Sequence, residues 1–263
     1  MSATTTPPEF AEPPSPLPES APPPRRALGF RHLLVVMIGC VGAQLAIAAF
    51  AIAWIDVRAA LRGDVVPSRP SLGPRSLLAM GLTDAVLGIA GAWFFACSRR
   101  GLSFAEGLRA RLPDARVAVI SVAAGAACVV AEIGLVSTVK SDGHELIRDL
   151  VSSAGGFAAF CALGLLSPFA EEIYYRGFVF AVFEERIDPR AAAWIVGAWF
   201  WLLHFPQYWP NLGGILAVGC LSATTTTLRA RTGSIVPGMI AHFVYNGTLI
   251  GVAVAARLFM PAP

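Results

Sequence analysis

The chain has 263 residues, of which 56% are hydrophobic and 14% charged, with a formal charge of +3 and a mean hydropathy of +0.64. A soluble domain carries roughly 25% charged residues, so an ordinary water-soluble globule is excluded. So is a nucleic-acid surface, because the small excess of charge is arginine scattered through the loops; what is left is a membrane protein long enough for several spans.

Residues 1–24 hold nine prolines and three glutamates and read as a disordered tail with local polyproline character. The first apolar run, Leu33–Ile55, has no charge over 23 residues and follows Arg25, Arg26, Arg31 and His32. That basic flank predicts a cytoplasmic N-terminus. A second run, Leu77–Cys97, is interrupted only by Asp84. It is followed by the basic stretch containing Arg99, Arg100, Arg109, Arg111 and Arg116. Val117–Val136 contains Glu132, and Leu150–Ala170 ends at the pair Glu171–Glu172.

Beyond that point Ile173–Phe183, Ala191–Phe205, Leu212–Leu228 and Ile235–Phe259 are apolar. Pro206 and Pro210 are expected to break the segment that holds His204, and Arg229, Arg231 and Gly233 to form a short loop. The prediction is an all-α, polytopic transmembrane bundle of seven or eight helices without β-sheet. The number depends on whether the chain around residue 171 is one broken helix or two. Five cysteines, at 40, 97, 128, 161 and 220, lie in or beside these runs with no metal or disulfide spacing and read as small hydrophobes.

Six polar residues stand out in this apolar background. Glu172 and Arg176 are four apart and share a helix face, so they can pair. Glu171, on a face turned by about 100°, is left free. Pro168 fits a first helical turn, which would set the two carboxylates near a helix N-terminus. His204 follows Phe200 by four residues, and His242 precedes Asn246 by four. Taken singly, each has a plain structural explanation: a helix-end ion pair, an interfacial histidine, a polar contact between helices. Taken together they supply a general base and oxyanion donors, or metal ligands. Competing motifs are missing: His144, Glu145 and Arg148 make only a partial HExxH, and there is no GxSxG or phosphate loop.

Glu171-Glu172-Ile173-Tyr174-Tyr175-Arg176, Phe200 through His204, and His242 through Asn246 resemble the EExxxR, FxxxH and HxxxN/B signatures of the CAAX-processing and bacteriocin-processing family of intramembrane endopeptidases. Spacings of 33 and 38 residues between the polar centres make the set specific, and the resemblance covers about residues 150–250. It implies hydrolysis of a peptide bond in a membrane-associated polypeptide. Glu171 and His204 would activate water, His242 and Asn246 would stabilise the oxyanion, and Arg176 would act through Glu172. It also allows a metal scheme in which Glu171, His204 and His242 hold zinc. A non-catalytic membrane adaptor or immunity protein keeping the same polar network is the alternative.

The organisation expected is a tail over 1–30, transmembrane helices over 31–149, and the family's catalytic core over 150–263. The bilayer and a membrane-bound peptide are the partners, with no nucleic acid. Glu171, His204, His242 and Asn246 should converge to roughly 3–5 Å or one water, with Asp84 and Glu132 lying apart.

Overall fold

The computed structural model describes residues 27–64, 73–139 and 151–259. The proline-rich tail, apart from its last few residues, and the segment with His144, Glu145 and Arg148 lie outside the described residues. Within them every regular element is helical.

Helix α1 (Phe30–Arg62) ends at Gly63, whose φ of 70° is the left-handed geometry that stops helices. Helix α2 (Pro74–Ala92) continues through a π turn (Trp93–Cys97) and a 3-10 turn (Ser98–Arg100). A short α3 (Phe104–Gly107) is closed by a capping box between Ser103 and Glu106. Helix α4 (Ala115–Thr138) starts at Asp114, whose carboxylate accepts from the Val117 N–H at 2.8 Å.

Ser153 caps the next rod, accepting from Gly156 N–H at 3.0 Å. This rod is α5 (Ala154–Glu171), which runs without a break through a π-helical stretch (Glu172–Val179) into α6 (Phe180–Glu184). Helices α7 (Pro189–Tyr208), α8 (Leu212–Thr232) and α9 (Val236–Phe259) follow.

Five stretches are long and apolar enough to cross a bilayer: Phe30–Arg62, Pro74–Arg100, Ala115–Thr138, Ala154–Glu184 and Val236–Phe259. Few of their side chains are buried. On α1 alone Leu34, Val35, Ile38, Leu45 and Phe50 are exposed, which is tolerable only where lipid replaces water. The chain is a multi-pass membrane protein. Helix α1 packs on α2, α2 on α5, and α5 on α9; α9 also contacts α4 and α8, and α7 lies on α8. Gly125 lets α4 approach α9 closely, since a Cβ there would come within 2.9 Å of the Val244 Cβ. Small residues play this part wherever membrane helices lack a hydrophobic drive to associate.

One question left open by the sequence is answered and two local expectations are corrected. Residues 154–184 form one continuous rod. Pro168 lies buried inside α5, so the carboxylate pair sits at the far end of an 18-residue helix from its N-terminus, out of reach of the dipole that was to stabilise it. Pro206 lies inside α7; the break comes after Tyr208, where Trp209 is extended and Asn211 caps α8.

Candidate active site

Where the helix widens into π geometry, the glutamate motif meets three other helices. Glu172 and Arg176 are both fully buried, with Oε1 and Nη1 3.3 Å apart, so the pairing expected from their spacing is present. His242, on α9, reaches the same oxygen: its Nδ1 lies 3.0 Å from Glu172 Oε1. A carboxylate can only accept, so Nδ1 carries the proton in that bond. The other ring nitrogen, Nε2, faces Glu171, whose Oε2 is 3.8 Å away. Glu171 is the more exposed of the two acids, at 24% against 0%. Glu172 is thus held by the arginine as its spacing predicted, while Glu171, turned away from Arg176, faces His242.

Arg176 is held from several sides. Its Nη2 donates to the Ser222 carbonyl and hydroxyl of α8, both at 3.4 Å, and its guanidinium stacks 4.3 Å from the Phe200 ring of α7. Ser222 in turn donates to the Gly197 carbonyl at 2.8 Å, tying α8 to α7. Among the described residues Glu172 Oε2 and Arg176 Nε make no hydrogen bond. Unspent capacity of this kind in a buried centre is uncommon. Gly238 makes room for it, because a Cβ there would sit 2.9 Å from Glu172 Oε2.

His204 is half-buried. Its Nδ1 lies 2.7 Å from the Phe200 carbonyl, which can only accept, so Nε2 is left with its lone pair. Its ring lies 4.2 Å from that of Phe200, and the His242 ring approaches the same phenylalanine at 6.3 Å. The two histidines thus converge on one aromatic side chain.

Asn246 points elsewhere. Its amide donates to the Gly164 carbonyl at 2.9 Å and to Ser167 Oγ at 3.2 Å. Pro168 has no N–H, so the carbonyl four residues before it lacks its helical partner. Asn246 fills that gap.

Asp84 pairs with Gln44, and it and Glu171 both lie within electrostatic reach of Tyr175. Glu132 is nearer than expected. It takes a hydrogen bond from Tyr245 on α9, and both Glu132 and Glu171 lie within electrostatic reach of Tyr208.

Sequence reasoning missed Ser222, Gly238 and Arg229. Arg229 was expected in a loop. It is buried inside α8, bonding Glu184 at 2.8 Å and, through Nε, the carbonyl of Arg176 at 3.0 Å. The only sequence signal for these three was a polar or small residue in an apolar run. No group of three His, Cys, Asp or Glu side chains among the described residues is close enough to hold a metal ion. Glu171, His204 and His242 therefore do not form the zinc set considered from sequence.

A buried carboxylate–arginine–histidine centre inside a multi-pass helical bundle defines the class: a membrane-embedded protein with polar machinery at depth. Residues 153–248 match the family model described as Type II CAAX prenyl endopeptidase Rce1-like, and that segment contains Glu171, Glu172, Arg176, His204, His242 and Asn246. Over this segment the chain is similar to the CAAX-type proteases that the model describes. No curated protein and no solved structure matches the chain.

Proposed function

We propose that the chain is an intramembrane endopeptidase that hydrolyses a peptide bond of a membrane-associated polypeptide with water activated by Glu171 and His204. The observation that carries this reading is the meeting of Arg176 and His242 at the buried Glu172 carboxylate, with Glu171 facing the same histidine, within the segment that matches the protease family. Glu172 acts as a positioning residue: clamped by Arg176, it fixes the His242 ring and aims Nε2 at Glu171. His204, with Nδ1–H spent on Phe200, offers Nε2 as a base. A water between these groups loses a proton to Glu171 or His204 as its oxygen bonds to the scissile carbonyl carbon. The tetrahedral oxyanion takes a hydrogen bond from His242 Nε2–H when that ring is protonated. The proton held by the base then passes to the amine as the C–N bond breaks. Asn246 can add a second donor by releasing Ser167 Oγ while keeping Gly164.

The test is cleavage of a peptide library by the purified full chain in detergent, beside Glu171→Gln. Cleavage by the parent that is lost in the variant is the expected result. A correctly folded parent that cuts nothing, or a variant that cuts as well as the parent, overturns the reading. One observation favours the adaptor alternative: Asn246 and His204 both spend hydrogen bonds on helix backbone, as members of a packing network would. In that case neither protein cleaves, and loss of either side chain affects stability alone.

A further inference from the structure

At the end of the bundle where α1 begins and α2 terminates, a cavity of about 400 Å³ opens between the two helices. Its lining is Ala27, Arg31, His32, Phe95, Arg99 and Arg100. The protease reading uses none of these residues, and none falls within the matched segment.

His32 is the informative member. It is 8% exposed, and its ring stacks on Phe95 at 4.8 Å. The Gly29 N–H donates to Nδ1 at 3.0 Å. A nitrogen that accepts a hydrogen bond carries no proton, so the ring's proton is on Nε2. That N–H is buried and has no partner among the described residues.

Arg100 repeats the pattern. One arm of its guanidinium pairs with Glu185 at 3.1 Å, while Nε is buried without a hydrogen-bond partner among the described residues. Both oxygens of Glu185 are engaged, since the other one accepts the Leu28 N–H at 2.8 Å. Arg31 and Arg99 are exposed at the rim, and Arg99 lies over the Phe95 ring at 5.9 Å. The guanidinium of Arg186, also within electrostatic reach of His32, is bonded to the carbonyls of Leu28 and Val182. Around the cavity, three arginines and a histidine donor therefore face one already committed carboxylate. Buried donors left unpaired are costly, and a set with this surplus of charge suits a ligand rich in acceptor oxygens and carrying negative charge.

We propose that this cavity binds a phosphate group, with His32 Nε2–H and the Arg31, Arg99 and Arg100 guanidiniums as its donors. Its position at the mouth between two spans puts it at headgroup level, where the phosphate of an anionic phospholipid is the abundant source; free phosphate has the same chemistry. The proposal is independent of the protease reading.

The full chain, purified in neutral detergent, is titrated with dihexanoyl phosphatidylglycerol, with dihexanoyl phosphatidylcholine, and with inorganic phosphate. Native mass spectrometry and the thermal midpoint are the readouts. Phosphatidylglycerol is expected to stay bound and raise the midpoint more than phosphatidylcholine does. Binding should weaken by about tenfold or more, the scale of one lost charge-assisted bond, in His32→Phe and in the double variant Arg31→Gln/Arg99→Gln. The double variant alters only exposed side chains and keeps the test valid if H32F fails to fold. Competition by inorganic phosphate supports the site with the phosphate alone as sufficient ligand, and lack of competition supports it as a lipid site. Equal retention of the two lipids by the parent, or unchanged phosphatidylglycerol binding in the double variant, overturns the proposal.

Discussion

The amide of Asn246 donates to the carbonyl of Gly164 at 2.9 Å, which is the carbonyl that Pro168 deprives of its helical partner. An unpaired backbone carbonyl at membrane depth costs free energy that water cannot offset. One residue of the third motif thus repairs a defect just upstream of the first. The two motifs are coupled by structure as well as by any shared chemistry.

That coupling can be separated from catalysis. Asn246→Ala should destabilise the protein by about 1–3 kcal/mol, the cost of an orphaned buried acceptor. In a Pro168→Ala background the helix recovers its own N–H, so the same substitution should cost much less. Thermal unfolding of the four proteins completes the cycle. If the cleavage lost in N246A does not return in the double variant, Asn246 also serves the reaction. If activity recovers together with stability, its role is repair alone.

The two acids should respond differently. Glu171→Gln is expected to reduce cleavage by about 10²-fold or more, the usual scale for a general base, with little change in unfolding temperature. Arg176→Ala leaves Glu172 buried without its cation and should cost about 3–5 kcal/mol. Equal loss of stability in both variants, with turnover intact in E171Q, would sink the assignment of roles.

Gly238→Ala puts a methyl group 2.9 Å from Glu172 Oε2. The carboxylate must shift, and its contacts with Arg176 and His242 loosen. The expected outcome is a clear fall in kcat with the helical circular dichroism of the parent. A G238A protein as active as the parent would show that the position of Glu172 is not critical.

Chelation tests the remaining chemistry. With no three-ligand group formed by Glu171, His204 and His242, cleavage is expected to persist in excess chelator, and elemental analysis of active protein to find no stoichiometric zinc. Activity lost on chelation and restored by zinc would mean that these side chains regroup when substrate binds.

Much was legible in the sequence because membrane chemistry is unforgiving. Apolar runs of span length fixed the all-helical class, since only internally bonded backbone is tolerated in lipid. Polar and charged side chains in or beside those runs had to face inward, so six positions from residue 171 onward could be named. Helical spacing alone foresaw the Glu172–Arg176 pair. What the sequence could not carry were contacts between residues far apart in the chain. Pro168 read as a helix start because its missing N–H is harmless there; only Asn246, 78 positions later, explains how it sits inside one. The π widening at Glu172–Val179 has no spacing signature, yet it accompanies a carbonyl of Arg176 bonded by Arg229. His242 reaches Glu172 across 70 positions, and Gly238 matters only because that carboxylate lies against it. Local pattern determined which segments cross the membrane and which residues turn away from lipid. Tertiary packing alone decided which of those residues meet, because a buried polar group takes whichever partner the neighbouring helix brings.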